Sequence, residues 1–281
     1  MKKMLLAFAF AWICGVASGK DIRECTLGIC VPFRLNRDAQ QIPDTFESEL
    51  DGAAAIPQKY IEYLKSKNLF KDVIEIKRDE AADYYVHGYI ESVGFGNGAA
   101  RYWAGSFGKG LAHLKLKVIT LNSKRKPMGR EDIFRKGKLS RFVWSPGAWS
   151  KTVHLQSAVE ATQEPVFNLI LKSIVGIDGA GAASLLSSRN SEVTKRIAKQ
   201  VANGLIPVSR NLEKAFAAAI AEHVLHPVED EKAIDALAWV CVAIGSANMT
   251  NNAGDVEKLA AADVGPKIHK YAVNALTMLN P

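Results

Sequence analysis

The chain has 281 residues, 48% of them hydrophobic and 23% charged, and a formal net charge of +7. That balance excludes a disordered or collagen-like chain, and the length suits two modest domains with enough apolar mass for real cores. The positive excess is mild overall, so where it concentrates matters more than its size.

Residues 1–19 read as a secretory signal peptide. Lys2 and Lys3 form a basic start, residues 4–17 an almost unbroken apolar run, and Ala17 and Gly19 supply the small side chains a signal peptidase accepts. The run is shorter than the roughly 20 apolar residues a membrane helix needs. Ile13 and Trp12 are too bulky in front of Cys14 for a lipoprotein acylation site, so simple cleavage near Gly19 is expected. No later segment has the length and apolarity of a span. The expected mature chain, at +5 after loss of Lys2 and Lys3, is periplasmic or secreted, and peripheral to the outer membrane if it meets one.

Residues 20–175 read as a mixed α and β domain. Cys25 and Cys30 lie close together in a chain bound for an oxidising compartment; either they bridge as a disulfide or they stay as thiols, one buried in the first strand. Residues 27–34 predict that strand. Asp44 can cap a helix towards Lys67, burying Phe46, Leu50, Ile61 and Leu64, with a kink or break at Pro57. Residues 70–77 and 84–93 predict two more strands, and a glycine-rich stretch fills 94–110. Leu114, Leu116 and Val118 alternate with His113, Lys115 and Lys117, the period of a half-buried strand. Asn122, Ser123, Pro127 and Gly129 carry turn chemistry before another strand around 132–139. Residues 154–174 have helical spacing, perturbed by Pro165.

The small-residue segment 176–187 reads as a linker, and 188–281 as all helix. Leu212, Ala215, Phe216, Ala219 and Ile220 repeat at helical spacing; so do Ile234, Leu237, Ala238 and Cys241, and Ile268, Tyr271, Ala272, Ala275, Leu276 and Leu279. Pro207, Pro227 and Pro266 punctuate about five short helices, expected to pair as antiparallel hairpins.

Two resemblances follow from these residues. The segment from Tyr84 to Val93, then Gly98, Arg101, Tyr102, Gly105, Gly108 and Gly110 and an alternating strand, resembles a bacterial family of unknown function made of exported proteins and lipoproteins. It implies a small sheet packed by helices and supplies no catalytic residues. Its glycines at 105 and 108 are more widely spaced than the family motif. Residues 232–279, with Ala236-Leu237-Ala238-Trp239, Ala243-Ile244-Gly245 and Ile268, Tyr271, Ala272, Ala275 and Leu276, are similar to HEAT-like helical hairpins, which implies a binding scaffold. Only two hairpins fit, fewer than the roughly three that a free-standing repeat array needs, so this part is expected to pack on the first domain or on a partner. The expected fold class is α+β: a small mixed sheet packed by helices, then an all-α HEAT-like helical-hairpin domain.

Chemistry is sparse. The glycines at 94–110 precede a strand rather than a helix and lack Gly-Lys-Ser/Thr, so they read as a connection between strands, not a nucleotide loop. His223 and His226 share a helix face, but spacing fixes no third metal ligand and the helix C-terminus accounts for them. No nucleophile motif occurs, and neither a metal nor a cofactor is called for. Charge concentrates in 109–141, where eleven Lys and Arg face two acids, a net +9. Lys115, Lys117, Lys124, Arg125 and Lys126 are the expected anion contacts, against the plainer reading of a solvated basic edge. The leading expectation is a non-catalytic envelope interaction module. Its basic sheet face would meet anionic lipid, lipopolysaccharide or glycan rather than nucleic acid, and its helices a protein partner or a second copy. The competing reading is a periplasmic enzyme acting on envelope polymers.

Overall fold

A computed structural model describes residues 21–35, 55–77, 80–94, 112–137, 151–176, 179, 181–226 and 230–280. The expected signal peptide and the whole motif Gly98, Arg101, Tyr102, Gly105, Gly108 and Gly110 lie outside the described residues. The class is α+β, a mixed sheet followed by a helical region.

After a short 3-10 turn at Ile22–Glu24 come β1 (Thr26–Cys30) and β2 (Arg34–Leu35). The single strand expected over 27–34 is thus interrupted where Pro32 has no N–H to give to a ladder. Helix α1 (Ala55–Ser66) contains Pro57, Ile61 and Leu64 of the expected helix, whereas Asp44, Phe46 and Leu50 lie outside the described residues. Strands β3 (Asp72–Ile76), β4 (Tyr84–Gly94), β5 (His113–Asn122) and β6 (Pro127–Lys136) follow, then the long α2 (Lys151–Val175), which continues through Pro165.

The sheet order is β3-β1-β4-β5-β6, with β2 alongside β4. Pairs among β1, β2, β3 and β4 are parallel; β4-β5 and β5-β6 are antiparallel. Alternation sorts the two faces. Leu27, Ile29, Val86, Ile90, Leu114, Leu116, Val118 and Ile133 are buried against α1 and α2. Gly88 on that face leaves room for the Phe33 ring, which a Cβ would approach to 2.3 Å, and Phe33 stacks on Tyr60 of α1 at 5.6 Å. Tyr60 and Thr162 of α2, both buried, join by their hydroxyls, and Thr162 Oγ1 donates to the Val159 carbonyl at 2.5 Å.

The described part of the segment expected to be a linker packs into the core. It holds α3 (Ala182–Leu186), with Ala182, Leu185 and Leu186 buried. Gly181 is small because its backbone runs against Ile174, whose carbonyl oxygen would lie 1.9 Å from a Cβ. Close approach calls for glycine at 181, and left-handed backbone calls for it at Gly176 and Gly179, with φ of 72° and 70°. Five helices follow Ser188 among the described residues: α4 (Ser191–Ala202), α5 (Arg210–Leu225), α6 (Glu231–Ser246), α7 (Ala253–Ala261) and α8 (Pro266–Leu279). Asn190, Ser209 and Asp230 cap α4, α5 and α6 by accepting from the backbone N–H of Val193, Leu212 and Ala233. Neighbours in sequence are not always the main neighbours in space. Helix α6 packs between α4 and α8, while α5 packs on α3 and α7. Asp235 of α6 binds Lys195 of α4 and Lys267 of α8, the latter at 3.1 Å.

One hydrophobic core runs from the sheet through α2 and α3 into the last helices. Across the same junction lies an ion network. Lys67 meets Glu192 at 3.0 Å, Arg196 meets Glu192 at 2.6 Å and also Glu164, and Tyr63 donates to Glu164. Asn190 Nδ2 donates to the Lys67 carbonyl at 2.6 Å.

Candidate anion-binding face

The face of the sheet opposite α1 and α2 carries the alternate residues: Tyr85, His87, Tyr89 and Glu91 of β4, and His113, Lys115, Lys117, Ile119 and Leu121 of β5. Register adds Arg34 opposite Tyr89, Asp132 opposite Lys117 and Arg130 opposite Ile119. Lys115 and Lys117 share one face of β5, and both are half-buried there.

Lys115 and Lys117 converge on Glu91, at 2.9 and 3.8 Å. The hydrogen bond from Lys115 holds the Glu91 carboxyl below its ordinary range against the opposing effect of burial, and the charges of Lys115, Lys117 and Arg130 add to it. With Asp132 beside them, these strand cations are largely balanced by acids.

Lys124, Arg125 and Lys126 form the exposed tip of the β5-β6 hairpin. The Asn122 side-chain oxygen accepts from the backbone N–H of Lys124 and of Lys126, each at 3.0 Å, which folds the turn. Arg125 sits in the left-handed region at φ 57°. Its guanidinium lies over the Tyr85 ring, 5.0 Å from the centroid, and so turns back over the open face. The end of β5 at Asn122, from which the tip projects, is five residues from Lys117, roughly 17 Å of strand. The five predicted residues therefore divide into a neutralised pair and a concentrated cationic tip. Lys109, Lys138 and Arg141 of the same charge cluster lie outside the described residues.

Between Arg34 and Arg125 the structure brings Cys30, expected only as a disulfide partner or a thiol, together with His87, which sequence reasoning missed. Cys30 Sγ lies 3.2 Å from His87 Nε2, both half-buried. Burial pushes the Cys30 thiol up to about 11 despite the lowering charges of Arg125 and Arg34. Burial lowers His87, and the two arginines lower it further. At neutral pH the pair is thus a neutral thiol and a neutral imidazole sharing a hydrogen bond, not a thiolate beside an imidazolium. The only sequence signal was the alternation of Tyr85, His87 and Tyr89; the partner depended on β1 pairing with β4.

Cys25 and Cys30 are not bonded to each other. Cys25 Sγ donates to the Asp21 carbonyl at 3.4 Å. The five-residue strand between them is the reason: an extended chain separates the two Cα atoms by roughly 16 Å, whereas a disulfide needs less than about 7 Å. Among the described residues no group of three or more His, Cys, Asp or Glu side chains converges in metal-binding fashion, and no helix is long and apolar enough to cross a membrane.

No family model matches the chain, and no curated protein matches it. Among solved structures it is similar to a Xanthomonas campestris protein of the DUF330 family, at 15% identity and a TM-score of 0.34, over 53% of this chain and 87% of that one.

Proposed function

We propose that this chain is a non-catalytic, exported envelope protein that holds anionic envelope components on the open face of its sheet. The supporting observation is the hairpin tip: three successive cations, one of them laid over Tyr85 and directed along a face that also carries Arg34. Polyanions are attracted to such a concentration of charge, and near an anionic bilayer each Lys or Arg contributes about 1 kcal/mol. The helical half, HEAT-like in its loose alanine and leucine spacing, is the partner-binding or self-associating scaffold.

The test is sedimentation of the chain from Lys20 onward with vesicles of phosphatidylglycerol in phosphatidylcholine, and in parallel with lipopolysaccharide. Loss of binding with rising salt is expected. Reversal of Lys124, Arg125 and Lys126 to Glu is expected to weaken it by roughly 100-fold, from about 1 kcal/mol per site. Reversal of Lys115 and Lys117 has a smaller effect, because Glu91 already occupies them. Binding indifferent to the tip variant sinks the proposal. The competing reading, an enzyme acting on envelope polymers, would have to use the Cys30–His87 contact, whose thiol burial keeps protonated. It requires turnover of an envelope polymer that Cys30→Ser abolishes.

A further inference from the structure

Helix α5 presents Ala215 and Ala219 towards Ala236 and Leu237 of α6, and these two consecutive helices touch little. Side chains this small do not fill the space between them. What remains is a cleft of about 690 Å³ that Leu186 of α3 also lines, within the roughly 300–1,000 Å³ typical of small-molecule sites.

One polar group of the cleft, His223, comes from the buried stripe of α5, in its last turn. Leu212, Phe216, Ile220 and His223 form the buried stripe of α5, and His223 takes a position an apolar residue would fill. It is 6% exposed, lines the cleft, and its ring makes no hydrogen bond with the described residues. Burial lowers its basicity, so it is neutral and offers one donor and one acceptor. Its ring nitrogens are not sealed off from solvent: they open on the cleft, where a ligand's polar atom can meet them.

The rim carries Arg23 and Arg189. Each is already in an ion pair, Arg23 with Asp21 at 2.8 Å and Arg189 with Glu222 at 2.5 Å. Both pairs are solvent-exposed, and exposed pairs are weak, so an incoming anion can compete for either guanidinium. We infer that the α5-α6 cleft is a binding site for a small amphipathic anion, its apolar body on the alanine floor and its acidic head against Arg189. The site is separate from the sheet face.

The experiment uses the chain from Lys20 onward and two fluorescent probes of one skeleton, anilinonaphthalene sulfonate and the uncharged phenylnaphthylamine. The expected result is saturable binding of one sulfonate probe per chain, tighter than the neutral probe. Ala219→Trp, which fills the floor, removes binding of both. Arg189→Ala weakens the sulfonate probe about tenfold, the value of one charged hydrogen bond, and leaves the neutral probe unchanged. Glu222→Gln releases Arg189 and tightens the sulfonate probe several-fold. If Ala219→Trp fails to fold by circular dichroism, the opposed effects of the two rim variants still decide. The inference is overturned by absent or non-saturable binding, by a folded Ala219→Trp that binds normally, or by rim variants without effect. It is also overturned by weakening on Arg125→Glu, which would place the probe on the sheet face.

Discussion

Replacing Thr162 by valine tests how the first helix is locked to the second. Thr162 and Tyr60 are 0% and 1% exposed. Because the Thr162 hydroxyl spends its proton on the Val159 carbonyl, it can only accept from Tyr60. Valine keeps the shape and removes the acceptor, so the Tyr60 hydroxyl is left buried without a partner. Such a group costs about 1–3 kcal/mol, and full burial argues for about 2. Tyr60→Phe leaves Thr162 still bonded to Val159, so about 1 kcal/mol or less is expected. The double variant strands no polar group and should resemble Tyr60→Phe alone, giving a coupling energy of about 1–2 kcal/mol. Urea unfolding followed by circular dichroism, with midpoints compared at unchanged slope, measures all four corners of the cycle. For a chain of this size the valine variant should also melt roughly 4–8 °C lower. Additive single effects, or a double variant worse than Thr162→Val, would refute the reasoning.

Three further outcomes are expected. Gly88→Ala drives a Cβ into the Phe33 ring and should cost about 1–3 kcal/mol in urea midpoint, an overpacking effect that Phe33→Leu in the same chain should relieve. Glu164 is desolvated by burial, yet hydrogen bonds from Tyr63 and Arg196 hold its carboxyl below the ordinary range. A depressed folded value means its contribution is complete above the unfolded value of about 4.3 and fades as pH falls through the folded one. The stability gap between wild type and Glu164→Gln should therefore be constant above about pH 5 and close towards pH 3; a gap that widens on acidification contradicts this. Finally, a thiol reagent at neutral pH should modify Cys30 far more slowly than a free thiol, since burial raises it to about 11, and should reach buried Cys25 and Cys241 only on unfolding. Rapid labelling of Cys30 would show that the His87 contact activates it.

Legibility in the sequence followed the range of the interaction. The alternation of Leu114, Leu116 and Val118 with Lys115 and Lys117 returns as the burial pattern of β5, because side-chain direction in a strand is a local property of period two. The stripe Leu212, Phe216 and Ile220 is likewise the buried face of α5, and Asn122 does shape the turn that carries the cationic tip. The segment 176–187 was less legible because small residues suit a flexible linker and a tight backbone crossing equally well. Only the contact between Gly181 and Ile174 separates the two. The charge window was less legible in the same way: composition counts cations but does not say that Glu91 stands between Lys115 and Lys117.

The sequence by itself determined the α+β class, most strands and helices, and which face of each is apolar, since these depend on residues within a few positions of one another. Tertiary structure alone decided that α6 packs between α4 and α8, that Cys30 meets His87 rather than Cys25, and that His223 lines a cleft. Each of those depends on register or packing between segments distant in the chain, and local spacing carries no information about which distant segment a buried face will find.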